Sequence, residues 1–162
     1  MNELFPQLPI PEPIALEFLG TFARCEYALK CTRYARGNEN SVEANWDKYA
    51  KDINWHFRRV KDKTFQRAVD FLLNEPPRKQ VLRKGHLVWH EAPPNPKWPK
   101  AQQALLMVRR IRNNLFHGAK VWSPEYDNRD RDIRLLRAGL AVMQQSMLLD
   151  DEVHMAFRYG VF

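Results

Sequence analysis

Apolar residues recur at helical spacing along most of this chain, and clusters of proline, glycine and polar residues punctuate the recurrence. Residues 1–13 carry four prolines and are expected to form an extended arm. From about Ile14 to Arg36 the stripe Phe18, Phe22, Cys25 and Leu29 predicts a first helix, ended by Gly37. Glu26 borders that stripe, either as a buried partner for an arginine or as a solvated edge. Asn40 followed by Glu43 has the spacing of a capping box and predicts the start of a second helix. Its core side would be Trp46, Ala50, Ile53, Phe57 and Val60, with a break near Lys61–Lys63. Thr64 is expected to cap a third segment built on Phe65, Ala68, Val69 and Leu72, which must stop before Pro76-Pro77.

Between residues 76 and 99 the periodicity loosens into a proline-rich connector, within which G-H-L-V-W-H reads as a short extended piece. Helical spacing returns at Ala104, Val108, Ile111 and Leu115, flanked by Leu105 and Met107. Gly118 is suited to end that helix, which puts His117 in its last turn. W-S-P-E-Y-D-N-R-D is a polar turn, and a last long helix follows from about Arg129 on Ile133, Leu136, Leu140, Met143 and Met147. Asp150, Asp151 and Glu152 open a further short helical turn before an aromatic tail. The expected fold class is all-α: an up-and-down bundle of four main helices with one or two shorter ones, in a single domain over 1–162.

Composition narrows the class of protein. At 162 residues the chain can bury a core without disulfides or metal staples. No apolar run is long enough for a membrane span, and no basic segment leads into an uninterrupted apolar core at the start. Cys25 and Cys31, the only cysteines, would point in different directions on one helix, so no disulfide is expected and a cytoplasmic location fits. Charge is unevenly spread. Residues 58–84 carry net +6 and residues 100–137 net +5, while the remainder sums to −4 for an overall +7. Two basic blocks that met in a groove would attract a polyanion in a salt-dependent way, although a generic basic surface has the same composition. Trp89 and Trp98 beside the connector could stack bases or simply anchor a loop. His86 and His90 have a spacing that could hold a metal on a helix, but Gly85 and the following prolines oppose a helix there. With no cysteine nearby to complete a site, no metal or cofactor is expected, and an irregular surface loop, one that could touch substrate, is the better reading.

The candidate chemistry lies in Arg109–Lys120, R-R-I-R-N-N-L-F-H-G-A-K. An always-charged guanidinium at Arg112, an amide at Asn113 and an imidazole at His117 are the parts needed to break an RNA phosphodiester without a metal. On an ideal wheel Arg112 and His117 are roughly 140° apart, bracketing a face that carries Arg109, Asn113 and Phe116. A second copy of the helix against that face would bring two arginines and two histidines into one cleft. The helix macrodipole favours the same cations at a C-terminus with no catalysis at all.

R-N-N-L-F-H-G, from Arg112 to Gly118, resembles the Arg–polar–x3–His motif of the HEPN superfamily, small all-helical domains that include many metal-independent endoribonucleases of toxin–antitoxin and defence systems. In that family the motif lies near the end of a late helix and two copies meet across a homodimer. The resemblance implies an endoribonuclease that works by 2′-hydroxyl attack, with Arg112, Asn113 and His117 catalytic. Arg109, Arg110 and Lys120 would be backbone contacts to RNA. An antitoxin or another defence-system protein is the implied partner. Family members paired with a nucleotidyltransferase antitoxin often carry a tyrosine two residues after the motif histidine, where this chain has Ala119. The alternative within the family is an inactive RNA-binding or protein-interaction module; a plain dimeric scaffold needs no RNA at all.

Overall fold

The computed structural model describes residues 10–116 and 128–160. Among these the chain is mostly helical, with two small antiparallel hairpins set between the helices. Helix α1 (Glu12–Lys30) is followed by strands β1 (Ala35–Asn38) and β2 (Ser41–Ala44), then by α2 (Trp46–Phe57) and α3 (Lys63–Asn74). A second pair of strands, β3 (Lys79–Arg83) and β4 (His86–His90), precedes α4 (Lys100–Phe116), α5 (Arg129–Ser146) and α6 (Asp151–Tyr159). No helix among the described residues is long and apolar enough to cross a membrane.

The core is built from the stripes that the periodicity marks. Phe18, Phe22, Cys25 and Leu29 of α1, Trp46, Ala50, Ile53 and Phe57 of α2, and Phe65, Ala68, Val69 and Leu72 of α3 are all buried. So are Ala104, Val108 and Ile111 of α4 and Leu136, Leu140 and Met143 of α5. Helix α2 lies along α4, α3 packs on α5 and α4, and α1 packs on α5 and α6. Cys25 is sealed in this interior, where burial pushes its thiol up out of the reactive range; Cys31 is half-buried, and both are free.

Four local expectations are corrected. The first helix stops at Lys30 rather than running to Arg36, because Tyr34 is fully buried. Continued helix would set Tyr34 about 140° from Leu29 on the wheel and leave it in solvent. By leaving the helix the chain brings the Tyr34 ring edge-on to Tyr49 and its hydroxyl to Asp150, which also pairs with Arg33. Asp150 meanwhile caps α6 by accepting from the Val153 amide, so one carboxylate joins the turn ahead of the first hairpin to the last helix.

Gly37 does not end a helix. It lies inside the first hairpin opposite Val42, with φ +155° and the Ser41 carbonyl oxygen 2.0 Å from where a Cβ would stand. Asn40 and Glu43 do not form a capping box either. Glu43 is held across the strands by Arg36, at 2.8 Å, and the cap of α2 is Asn45, accepting from the Lys48 amide at 3.0 Å. Asp62 takes the role expected of Thr64, accepting from the Phe65 amide at 2.6 Å.

The extended piece expected at G-H-L-V-W-H is found, as Gly85 and strand β4, but the rest of the proline-rich connector and, with it, the all-α expectation need the largest correction. Residues 79–90 are a regular hairpin, turned by Lys84 (φ +52°) and Gly85 (φ +80°), with Arg83 opposite His86 and Lys79 opposite His90. Two successive positive φ values give the turn that matches strand twist. The fold is therefore mainly helical with two hairpins rather than a pure four-helix bundle. Of the extended arm expected over residues 1–13, Ile10 is buried, Glu12 and Pro13 belong to α1, and residues 1–9 lie outside the described ones.

Candidate functional site

Helix α4 is anchored at its start from a neighbouring helix. The Asn54 side-chain oxygen of α2 accepts from the Ala101 amide at 3.1 Å, satisfying a donor that α4 cannot pair internally. Burial of Ala101, Ala104, Leu105, Met107, Val108 and Ile111 then fixes the rotation of the helix, and with it what the last turns present elsewhere.

Two sets of polar residues emerge from those turns, on different flanks. Arg109, Arg112 and Asn113 face a cleft of about 520 Å³, walled by Phe22 and Glu26 of α1 and by Lys79 and Gln80 at the start of β3. The Arg112 guanidinium lies over the Phe22 ring at 5.1 Å and the Phe116 ring at 5.7 Å, and donates to the Asn113 side-chain oxygen at 2.9 Å. Phe22 is itself stacked on Trp46, whose indole N–H donates to Glu26 at 2.9 Å. Glu26 is thus neither an arginine's buried partner nor a free edge: it is held by Trp46 in the cleft wall. Arg109 also meets Asp47, at 3.0 Å, which neutralises part of its charge. Arg112 and Lys79 meet no carboxylate among the described residues, so they dominate the field in the cleft.

The second set holds the hairpin. Arg110 donates through Nη1 to the carbonyls of Pro77, at 3.0 Å, and of Ala92, on the two sides of the β3–β4 base. Burial pulls its pKa below the ordinary arginine value, though an arginine stays charged near neutrality. Asn114, buried on the same flank, donates to the Arg78 carbonyl at 2.8 Å. Arg78 in turn pairs with Glu91 at 2.6 Å, closing the base of the hairpin. Arg110 and Asn114 also line the cleft, but the hydrogen bonds of both go to backbone carbonyls of the hairpin base rather than to a ligand.

Compared with known proteins, the chain matches no family model, no curated protein and no solved structure. The reading of the site therefore rests on its own geometry and on the motif.

Of the candidate residues, Arg109, Arg110, Arg112 and Asn113 are brought together around one cleft. His117 and Lys120 lie outside the described residues, as do Gly118, Ala119 and most of the polar turn after them. Trp89 and Trp98 are not among the residues that line this cleft. His86 and His90 stand on one face of β4, and no group of three or more metal-ligating side chains converges among the described residues.

Three participants escaped the sequence reading. Lys79 and Gln80 sit in the proline-rich stretch where periodicity is loose, and nothing in the sequence sets Asn114 apart from Asn113. The Lys-Gly pair at 84–85, flanked by Val81 and Val88, is the signal that could have revealed the hairpin and so Lys79.

Proposed function

We propose that this protein is a metal-independent endoribonuclease of HEPN type, acting in a toxin or defence system. What carries the reading is a cleft beside the Arg112–Asn113 pair in which cations outnumber carboxylates four to one: Lys79, Arg109, Arg110 and Arg112 against Glu26. Such a cleft suits a phosphodiester rather than a neutral or cationic ligand. The guanidinium is backed by two aromatic rings, so its planar fork is oriented before substrate arrives.

In the proposed reaction the ribose 2′-oxygen attacks the adjacent phosphorus and the bond from phosphorus to the 5′-oxygen breaks. The 2′-hydroxyl proton passes to a base and a proton is delivered to the departing 5′-oxygen. His117 takes one of these proton transfers. Arg112 binds the non-bridging oxygens and offsets the charge that develops on them. Asn113, hydrogen-bonded to Arg112, fixes the direction of the fork. The products are a 2′,3′-cyclic phosphate and a 5′-hydroxyl. A single-stranded RNA with deoxyribose at the scissile position should therefore resist cleavage, while saturating chelator should leave the rate unchanged. Activity that disappears with chelator, or a product ending in a 3′-hydroxyl, would overturn the mechanism.

A second copy completes the site in this reading. Phe116, 67% exposed at the end of α4, offers the apolar contact on which two α4 ends could meet. Light scattering at micromolar concentration should give twice the monomer mass; a monomer at every concentration would remove the two-copy site. The alternative, an inactive RNA-binding or protein-interaction module, draws support from the internal commitments of Arg109 and Arg110, which leave fewer free cations than the motif suggests. RNA binding without cleavage by the wild-type chain would select it.

A further inference from the structure

We infer that the β3–β4 hairpin is an arm that grips single-stranded RNA beyond the cleft, through the face that carries Lys79, Arg83, His86 and His90. The identity of the ligand rests on the reading of the cleft as an RNA site; the arm itself rests on the strand register.

Residues directly opposite one another in an antiparallel pair share a face, and the faces alternate along each strand. Lys79 with His90, Val81 with Val88, and Arg83 with His86 therefore form one side of the hairpin. Gln80 with Trp89 and Leu82 with Leu87 form the other. The first side holds two full cations and two imidazoles and no acid. In sequence the next carboxylate, Glu91, lies just past β4 and is paired with Arg78. Lys79, Arg83, His86 and His90 are all exposed. At about 3.3 Å per residue, Lys79 and Arg83 are roughly 13 Å apart along the strand.

Lys79 and Gln80 line the cleft from the two faces of the hairpin, and of the two only Lys79 is a cation. Through Lys79 the basic face is continuous with the cleft. Its position relative to the site is fixed from both ends, by Arg110 on Pro77 and Ala92 and by Asn114 on Arg78. Those two fasteners come from the same turns of α4 as Arg112 and Asn113. A strand of RNA lying across Arg112 would meet Lys79 next and then Arg83.

Charge decides the occupant. A basic face that prolongs a basic cleft is complementary to a continuous polyanion, and a backbone-tracking groove needs no sequence readout. A single strand is favoured over a duplex, because the major groove of A-form RNA is too narrow for a ribbon to enter. On the opposite side the two tip leucines, Leu82 at 75% and Leu87 at 67% exposed, offer a phosphate nothing. The control is confined to them, because Gln80 of that side lines the cleft.

The test uses the full chain and a fluorescent single-stranded oligonucleotide of 2′-O-methyl RNA, which cannot supply the attacking hydroxyl. Affinity is measured by anisotropy across a salt series. Arg83→Gln, remote from the cleft, should weaken binding and lower the slope of log K against log salt by about 0.7, the value for one phosphate contact on a single strand. Lys79→Gln with Arg83→Gln should lower it by about twice that. Leu82→Ser with Leu87→Ser should bind as wild type. If Arg83→Gln keeps the wild-type affinity and slope while Arg112→Ala still loses cleavage, the arm is refuted and the nuclease reading stands. If the leucine pair weakens binding as much as the cations do, the assignment of faces is refuted. Failure of the wild-type chain to bind any single strand would refute the RNA reading and the arm with it.

Discussion

Replacing His117 with alanine should slow cleavage of a single-stranded RNA by about 10²–10⁴-fold, the usual contribution of a positioned proton-transfer group. Arg112→Ala should cost about 10²–10³-fold, as loss of one donor to developing oxyanion charge does. The second variant is the more instructive, because its folding can be forecast from the structure. Among the described residues the Arg112 guanidinium touches only the Asn113 side chain and the faces of Phe22 and Phe116. A partly exposed contact of that kind is worth roughly 0.5–1 kcal/mol. For a domain of this size that is a melting shift of about 1–4 °C. Arg112→Ala should therefore be folded and nearly inactive. Arg112→Lys separates charge from shape: it keeps the cation and loses the planar fork, so near-complete activity would mean that a point charge suffices. Wild-type cleavage by the double alanine variant would sink the assignment of this site.

Arg110→Ala should show the reverse phenotype. Its guanidinium makes charge-assisted hydrogen bonds to the Pro77 and Ala92 carbonyls, and bonds to charged groups are worth roughly 1.5–3 kcal/mol each. Partial rescue of the freed carbonyls by water brings the expected loss to about 2–4 kcal/mol, or a melting shift of very roughly 5–15 °C. Hydrogen exchange should speed up first in residues 79–90, since the fastened base of the hairpin is what the variant releases. Adding Asn114→Ala should deepen the loss by less than its single effect, because both residues hold one element. Melting at the wild-type temperature together with a lost phosphate contact would return Arg110 to the role of an RNA ligand.

The helical stripes were legible because a helix that must bury one face writes its 3.6-residue period into the sequence; Phe18 to Leu29 and Phe65 to Leu72 are examples. The helix ends were not, since competing local signals are nearly equal in strength. Asn40 and Asn45 are both good caps, and the choice between them is made by Arg36 reaching Glu43 across the first hairpin. Tyr34 gave no local sign that it would be drawn into the core by Asp150, which is more than a hundred residues away. Of the second hairpin only β4 is legible, as the extended piece G-H-L-V-W-H; β3 is not, because both faces of the hairpin are largely exposed and burial imposes no alternation on Lys79–Arg83. Within the motif, the wheel correctly grouped Arg109, Arg112 and Asn113 on one face. Nothing local said that the flank carrying Arg110 and Asn114 would meet the carbonyls of Pro77, Arg78 and Ala92.

That interleaving makes the last turns of α4 intolerant of a change in phase. The cleft set, Arg109, Arg112 and Asn113, and the fastening set, Arg110 and Asn114, share six consecutive positions with the buried Ile111. One residue inserted ahead of Arg109 would turn everything after it by about 100°. The arginine that orients on Phe22 would swing away from the cleft while the hairpin lost its fasteners, and Ile111 would leave the core. Single substitutions can strike the two sets separately, but an insertion or deletion here strikes both at once and the hydrophobic packing with them. Over these six residues a change of length costs both functions of the helix end, where a change of one letter costs one.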